Sequence, residues 1–478
     1  MLTDLEQAIK NLRASALRYD KPERYYRGDH DLAFATAKFE NAFGSLFREF
    51  ALNLCPAICD AVRDKLKVTG FSVSSIGLAE LPQPDELTTD NRQLPTVDAS
   101  IDQIWDANTL DLTAEEIHLE ALKLGDSYAI VWPDAAGNVT IYPQRAASCT
   151  VIYDDEVPGL MRFAAKYWRT SDGFVRLNLL YSDRIEKYIS RSRSELALPD
   201  AREFIPVGPQ AALPASVASD AVDLVGVIRN PFERIPVFHF ANTAEIGTFG
   251  KSELIQAIPI QNGLNKAVLD MLVAMEFSSF RQRWVSGLEV DYDESGEVIP
   301  PFKNGVDRLW LSSNPQATFG DFDTTDLDQF LKVKDSFRVD MASVTGTPLH
   351  YFLQSIRGFA SGEALGRAEA RFLAKVRDRQ RSFGQVWGRL MSFALGIAAS
   401  GDSSIRLRTL WEDPAPMSER ELLENLVLKK QLGLSAEQAL IEAGYGRSDI
   451  SQMLASASYR GQPAGKRLSR RRRLHQLH

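Results

Sequence analysis

The sequence predicts an α+β chain built in several parts, and three observations carry that expectation. Apolar residues recur at helical spacing before residue 66. Between Val68 and about Phe240 the period shortens and turn residues multiply. After Gly250 long helical stretches return, one of them free of proline from about Ser361 or Gly362 to Ala399. With 478 residues, 44% of them hydrophobic, the chain has the length for about three domains with real cores.

The first part is helical because Phe43, Leu46, Phe47, Phe50, Leu54, Ile58, Val62 and Leu66 keep apolar side chains three or four apart, with Pro56 placed to bend or restart the run. In the second part, residues 128–132 and 139–142 flank a Pro-Asp-Ala-Ala-Gly-Asn turn and predict a hairpin. Residues 163–168 and 174–181 predict another, with Gly173 supplying the positive φ of the turn. Residues 235–240, interrupted by Pro236, predict a short edge strand. Thr113-x-x-Glu116 predicts a capping box opening a helix that runs to Leu124. Residues 191–222 place Pro199, Pro206, Pro209 and Pro214 among alanines and serines and predict a long exposed excursion outside the core.

Beyond Gly250, Pro259 is expected at the first position of a helix whose stripe is Leu264, Val268, Met271 and Met275. Short β-like pieces around Arg283-Trp284-Val285 and Arg308-Leu309-Trp310-Leu311 interrupt it. A second helix then carries Leu327, Phe330, Phe337, Met341 and Val344. Gly346-Thr347-Pro348 ends that helix in a loop over 346–361. The proline-free run follows as one long helix with Leu365, Phe372, Val376, Phe383, Leu390, Ala394 and Ile397 on its apolar side. Arg367, Arg371, Lys375 and Arg379 step along another face at intervals of four, and the intervening Glu369 and Asp378 neutralise only part of it. The last ordered part is expected to be helical, from the capping patterns Ser418-x-x-Glu421 and Ser435-x-x-Gln438 with Gly433 and Gly444 at helix ends. A flexible tail after Tyr459 holds Lys466, Arg467, Arg470, Arg471, Arg472 and Arg473.

Charge and motifs narrow the function. A net charge of −8 argues against a protein that coats nucleic acid, and because the tail alone is strongly basic the rest of the chain is more acidic still. The first residues lack the basic flank and apolar core of a signal peptide, and no apolar run reaches membrane-spanning length, so a soluble protein made in a cytosol is expected. Three cysteines suit reduced thiols, and Cys55 and Cys59 read as buried small hydrophobes. Phe249-Gly250-Lys251-Ser252 invites comparison with a phosphate-binding loop, but Glu245 stands where that motif needs glycine, so a serine-capped helix start is expected. None of the six histidines has the partner spacing of a zinc site. Asp321, Asp323, Asp326 and Asp328 could serve a metal-dependent nuclease, yet without a further carboxylate or lysine in frame they read as an acidic loop before a helix. No cofactor, metal site or catalytic residue is expected.

The order of segments between about Tyr25 and Gly446 resembles the portal proteins of tailed double-stranded-DNA phages, especially those of actinobacterial siphophages. The resemblance is carried by Tyr25-Tyr26-Arg27-Gly28, residues 59–71, Ile104-Trp105-Asp106-Ala107-Asn108, Gly125-Asp126-Ser127-Tyr128, residues 183–188 and Asn265-Lys266. Thr345-Gly346-Thr347-Pro348, Ser361-Gly362-Glu363-Ala364-Leu365 and residues 375–384 complete the set.

That resemblance implies the portal fold: N-terminal helices and an α/β wing over 1–249, stem helices at 250–280 and 326–345, and a small β-containing clip at 281–325. It further implies a tunnel loop at 346–361, a long tunnel-backing helix over 362–404, a helical crown at 405–458 and a basic tail at 459–478. It implies a homo-oligomeric ring, usually of twelve subunits, at one capsid vertex of a virion assembled in the host cytoplasm. Double-stranded DNA would pass through it, with no membrane involved. The implied partners are the terminase large subunit, a head-completion or adaptor protein, and the major capsid and scaffolding proteins. DNA-facing candidates on the loop are Thr347, Pro348, His350, Tyr351, Gln354 and Arg357, partner-binding candidates on the clip are Arg283, Trp284, Arg308 and Trp310, and the basic face of the long helix would either contact DNA or pair with acids of neighbouring subunits. Another oligomeric head–tail connector is the competing structural reading.

Overall fold

The computed structural model describes residues 3–49, 52–75, 93–194, 198–207, 226–245, 248–279, 283–287, 294–295, 314–321, 328–353, 362–399, 405–415, 419–431 and a few positions between 433 and 450. In chain order the elements are α1 (Asp4–Arg27), α2 (Ala37–Glu49), α3 (Cys55–Arg63), β1 (Val68–Ser75), α4 (Gln93–Ala107), α5 (Leu110–Leu124), β2 (Asp126–Pro133), β3 (Val139–Gln144), β4 (Cys149–Tyr153), β5 (Met161–Arg169), β6 (Phe174–Leu180), β7 (Arg184–Arg193), β8 (Phe204–Pro206), β9 (Val227–Arg229), β10 (Val237–Ala241), α6 (Ala257–Ser279), β11 (Arg283–Ser286), β12 (Thr318–Asp321), α7 (Asp328–Thr345), α8 (Gly362–Ala398), β13 (Arg406–Trp411) and α9 (Glu419–Gln431). They divide into a larger unit (Met1–Asp29, Asn53–Ile258, Met341–His478) and a smaller one (His30–Leu52, Pro259–Asp340).

In the larger unit α1 opens with a capping box, the Thr3 hydroxyl accepting from Glu6 N and the Glu6 carboxylate accepting from Thr3 N. Its Ala8, Ile9 and Leu12 pack on Phe163, Ala165, Val175, Leu177 and Leu179, one face of an antiparallel sheet ordered β4-β5-β6-β7-β8. Both expected hairpins form, β2 with β3 and β5 with β6, and β10 is the edge strand of the sheet β10-β2-β3. The excursion at 191–222 is shorter than expected. Residues 204–206 return as β8 against β7, and Leu198 and Phe204 are buried in the α1 core because they supply the apolar side chains that close it.

Helix α5 begins at Leu110, so Thr113 lies in its first turn and caps nothing. Thr113 N donates to Thr109 O, and full burial of Leu110 fixes the earlier start. The 37-residue α8 matches its expected span, about 55 Å at 1.5 Å per residue, and buries Phe372, Val376, Phe383, Leu390 and Ala394 on one side. Residues 406–411, expected within a helical part, form strand β13, which pairs antiparallel with β1 from Val68↔Trp411 to Ser75↔Arg406. The helix and this ribbon meet closely at Gly388, where a Cβ would run into the Leu407 carbonyl.

Helix α6 begins at Ala257, placing Pro259 at the third helical residue, where the missing N–H is still one of the unpaired first-turn donors. Phe337 of α7 lies over Gly263 of α6, so close that a Cβ there would sit 2.8 Å from its ring. The β insert is a hairpin of β11 and β12, register Arg283↔Asp321 to Ser286↔Thr318, whereas residues 308–311 lie outside the described ones. The capping patterns at Ser418 and Ser435 and the tail also involve residues outside them. Gly433, with φ 95°, follows the end of α9 as expected.

Candidate functional site

The segment that follows α7 is built by hydroxyl bonds and a tight turn. Thr345 Oγ1 donates to Met341 O at 2.7 Å and accepts from Thr347 N at 3.3 Å, while Gly346 takes φ 67°. Thr347 is buried, and Pro348 leads into a 3-10 turn over Leu349–Tyr351. His350 Nε2 lies 3.1 Å from Glu369 Oε1 on α8, and the Tyr351 ring lies tilted between those of His350 and Phe372. Burial, with the Glu369 and Asp64 carboxylates, raises the pKa of the Tyr351 phenol. The base of the loop is therefore fastened to α8 through His350 and Tyr351. Gln354 and Arg357 lie outside the described residues.

The basic row of α8 meets an acid of its own chain. Glu253, nine-tenths enclosed, receives Lys375 Nζ at 2.6 Å on Oε2 and Arg379 Nη2 at 2.7 Å on Oε1. Lys375 also donates to Thr345 O at 2.9 Å, which ties the same cation to the loop base, and Asn242 Nδ2 donates to Glu253 at 3.1 Å. Burial pushes the Glu253 carboxyl upward, but Lys375 and Arg379 outweigh it and hold the group below the usual carboxylate range. Residues one helical turn apart share a face, so a single carboxylate can span both cations. Arg371 Nη1 stands 3.4 Å from Ser343 O. The Arg367 side chain lies outside the described residues.

A second buried network surrounds Asp126. Its carboxylate accepts from Tyr19 Oη, His239 Nε2 and Gly250 N, each at 2.7 Å, and Tyr153 Oη contacts His239 Nδ1 at 2.7 Å. Burial and Asp126 push the Tyr153 phenol up to about 12. Acid, imidazole and hydroxyl are in line, yet Asp126 is fully enclosed and its lone pairs are filled by backbone and side chains, which makes this a hub of the fold. The same network explains Gly250-Lys251-Ser252. Gly250 N donates to Asp126, Lys251 Nζ meets Glu245, and Ser252 Oγ donates to Lys123 O, so the groups a phosphate loop would aim at its anion are taken internally. Gly125 and Gly250 pass so closely that a Cβ on Gly125 would sit 2.7 Å from Gly250 O.

Elsewhere, His118 accepts from Trp387 Nε1 at 2.8 Å, stacks on Phe383, and burial lowers its pKa to about 3. Burial pushes the Cys55 and Cys149 thiols up to about 12, which leaves them inert. Among the described residues no group of three or more His, Cys, Asp or Glu stands together to hold a metal, and no helix is long and apolar enough to cross a membrane. On the hairpin, Trp284 is 40% and Phe319 44% exposed. The side chains of Arg283, Arg308 and Trp310 and the six basic tail residues lie outside the described residues.

A family model described as phage portal protein, SPP1 Gp6-like, matches residues 83–449. The chain belongs to that portal family. Its relatives include the portal protein of Mycobacterium phage L5, 25% identical over 231 residues, which are 46% of this chain and 47% of the relative. The portal protein of Mycobacterium phage D29 is 24% identical over the same length and shares. The chain thus spans about half the length of the curated relatives it matches. Among solved structures it is similar to a chain of the neck of a native GTA particle computed with C12 symmetry, at 14% identity, 84% of this chain, 92% of that chain and a TM-score of 0.42. In this portal-family chain, sequence reasoning found the α8 cations but missed Glu253, whose only signal was a carboxylate beside the discarded Gly-Lys-Ser motif.

Proposed function

We propose that the chain is the subunit of a homo-oligomeric ring at one capsid vertex, a channel through which double-stranded DNA enters and leaves the virion. The observation that carries this is the succession helix α6, hairpin β11–β12, helix α7, fastened loop and long helix α8 within a match to the portal family over residues 83–449. In this reading α6 and α7 are the stem, the hairpin with exposed Trp284 and Phe319 is the clip, and residues 346–361 form the tunnel loop backed by α8. Residues 1–249 make the wing, 405–458 the crown, and 459–478 a basic tail; β13 supplies a strand to the β1 ribbon at the start of the crown.

The terminase large subunit and a head-completion protein would dock on the ring, with capsid and scaffolding proteins around it. Twelve subunits is the count the resemblance implies. The physics suits passive guidance. Each close cation–phosphate contact adds salt-sensitive affinity that would retard moving DNA, and a chain of net charge −8 whose Lys375 and Arg379 are paired with its own Glu253 limits such contacts. Native mass measurement with negative-stain imaging of the purified chain tests the proposal. Rings with a central opening are expected, and a monomer under every condition, including capsid-assembly conditions, would overturn it.

A further inference from the structure

The sheet β4-β5-β6-β7-β8 has two faces, because successive side chains on a strand alternate. Helix α1 covers one through Phe163, Ala165, Val175, Leu177 and Leu179. On the other face Cys149, Val151, Ala164, Leu180 and Ile185 are covered by Tyr128, Ile130 and Val237 from β2 and β10. Beyond that cover the register sets Lys166 opposite Asn178, Asn178 opposite Lys187, and Trp168 opposite Arg176. Three cations on three adjacent strands thus cluster around one asparagine.

Their surroundings are unusual. All three are half-buried, yet among the described residues none of them makes an ion pair, and Arg176 Nε is enclosed without an acceptor. Lys166 Nζ rests 5.4 Å from the Trp168 ring. Burial lowers the pKa of Lys166, and burial together with Arg176 lowers that of Lys187. Like charges on neighbouring strands oppose folding, and a buried guanidinium nitrogen without an acceptor adds to that cost. A merely solvated face would hold such cations extended into water.

We propose that this half of the β5–β6–β7 face, built on Lys166, Arg176 and Lys187, binds a carboxylate-rich segment of another protein chain. Charge complementarity requires an anion. Trp168 and Ile189 beside the cations favour a peptide, since an acidic segment brings apolar stems and neighbours that can lie on them, whereas duplex phosphates make their contacts through extended, exposed cations. Tryptophan and arginine are also the residues most concentrated at the centres of protein interfaces. The inference does not depend on the channel reading.

The test uses the full chain and a fluorescein-labelled twelve-residue peptide of alternating Glu and Leu, read by anisotropy at physiological salt, beside a labelled DNA duplex. The wild type is expected to bind the peptide. Lys166→Gln, Arg176→Gln and Lys187→Gln should each weaken it roughly three- to tenfold, and the triple variant should abolish it while leaving duplex binding unchanged. Because the substitutions relieve like-charge repulsion, the melting temperature of the triple variant should equal or exceed that of the wild type. If the triple variant fails to fold, the three single variants decide. The proposal is overturned if the wild type does not bind the peptide, if the neutralised chains bind it as well as the wild type, or if they lose the duplex and keep the peptide.

Discussion

Glu253 is the point at which the α8 cations can be assigned a role by perturbation. Glu253→Gln removes the charge and keeps the shape, leaving Lys375 and Arg379 side chains that are only 13% and 11% exposed facing a neutral amide. Removing one partner of a buried ion pair typically costs about 3–5 kcal/mol because the remaining charge is stranded away from water. Asn242 and the surviving amide oxygen still offer hydrogen bonds, so the lower end, about 3 kcal/mol, is expected at pH 7. The pH dependence gives an independent readout. The folded carboxyl lies below its ordinary value of 4.5, so its stabilisation is complete above that pH and is lost as pH falls through the folded value. The Gln variant should lose that part of the acid limb. Urea titration followed by fluorescence of the buried Trp387 measures both, and a double-mutant cycle with Arg379→Gln isolates the pair. A loss below about 1 kcal/mol, or an unchanged acid limb, would refute the internal anchor, and a fall in the salt slope of DNA binding in Arg379→Gln would assign that cation to phosphate instead.

Three further outcomes are expected. His118→Gln should flatten the dependence of stability on pH, because between 6.5 and about 3 the unfolded chain binds a proton that the fold excludes. The slope removed is up to about 1.4 kcal/mol per pH unit, and an unchanged slope in urea titrations from about pH 4 to 6 would show that the imidazole is not held neutral. Gly388→Ala should lower stability by about 1–3 kcal/mol through collision with the Leu407 carbonyl, whereas Gly44→Ala on α2, where a Cβ meets only Glu40 Cγ at 3.8 Å, should raise it by up to about 1 kcal/mol; melting curves compare them. Deleting residues 350–358 should leave rings visible by negative stain and impair packaging or retention of DNA, and normal infectivity would exclude the loop role.

Local signals were legible and distant partnerships were not. The α8 span could be read because it has no proline and repeats apolar residues every three or four positions, and the β5–β6 hairpin because Gly173 marks its turn at φ 83°. Strand β13 could not, since Arg406-Leu407-Arg408-Thr409-Leu410-Trp411 is a short alternation whose partner begins at Val68, on the far side of the wing sequence. Thr113 misled because a capping pattern one turn inside a helix looks the same as one at its start, and only the buried Leu110 separates the cases. The sequence sets His350 shortly before α8, but nothing in the spacing showed that Glu369, read only as a partial neutraliser of the helix face, would meet it.

What distinguishes the two groups of cations is whether the chain answers them. Lys375 and Arg379 share Glu253, and Lys375 also holds the carbonyl of Thr345, so these two cations of the helix are fixed in position within the chain. Under the channel reading, Lys375 and Arg379 would then add little to the dependence of DNA retention on ionic strength, since counterion release scales with the number of cations engaged with phosphate. Lys166, Arg176 and Lys187 have no such answer within the described chain and keep their field for something outside it. A salt titration therefore separates the two sites. Peptide capture on the β5–β6–β7 face should weaken steeply with added salt because its cations are only half shielded from the medium. The salt dependence of DNA retention should owe little to Lys375 and Arg379, and a fall in it in Arg379→Gln would place that cation against phosphate.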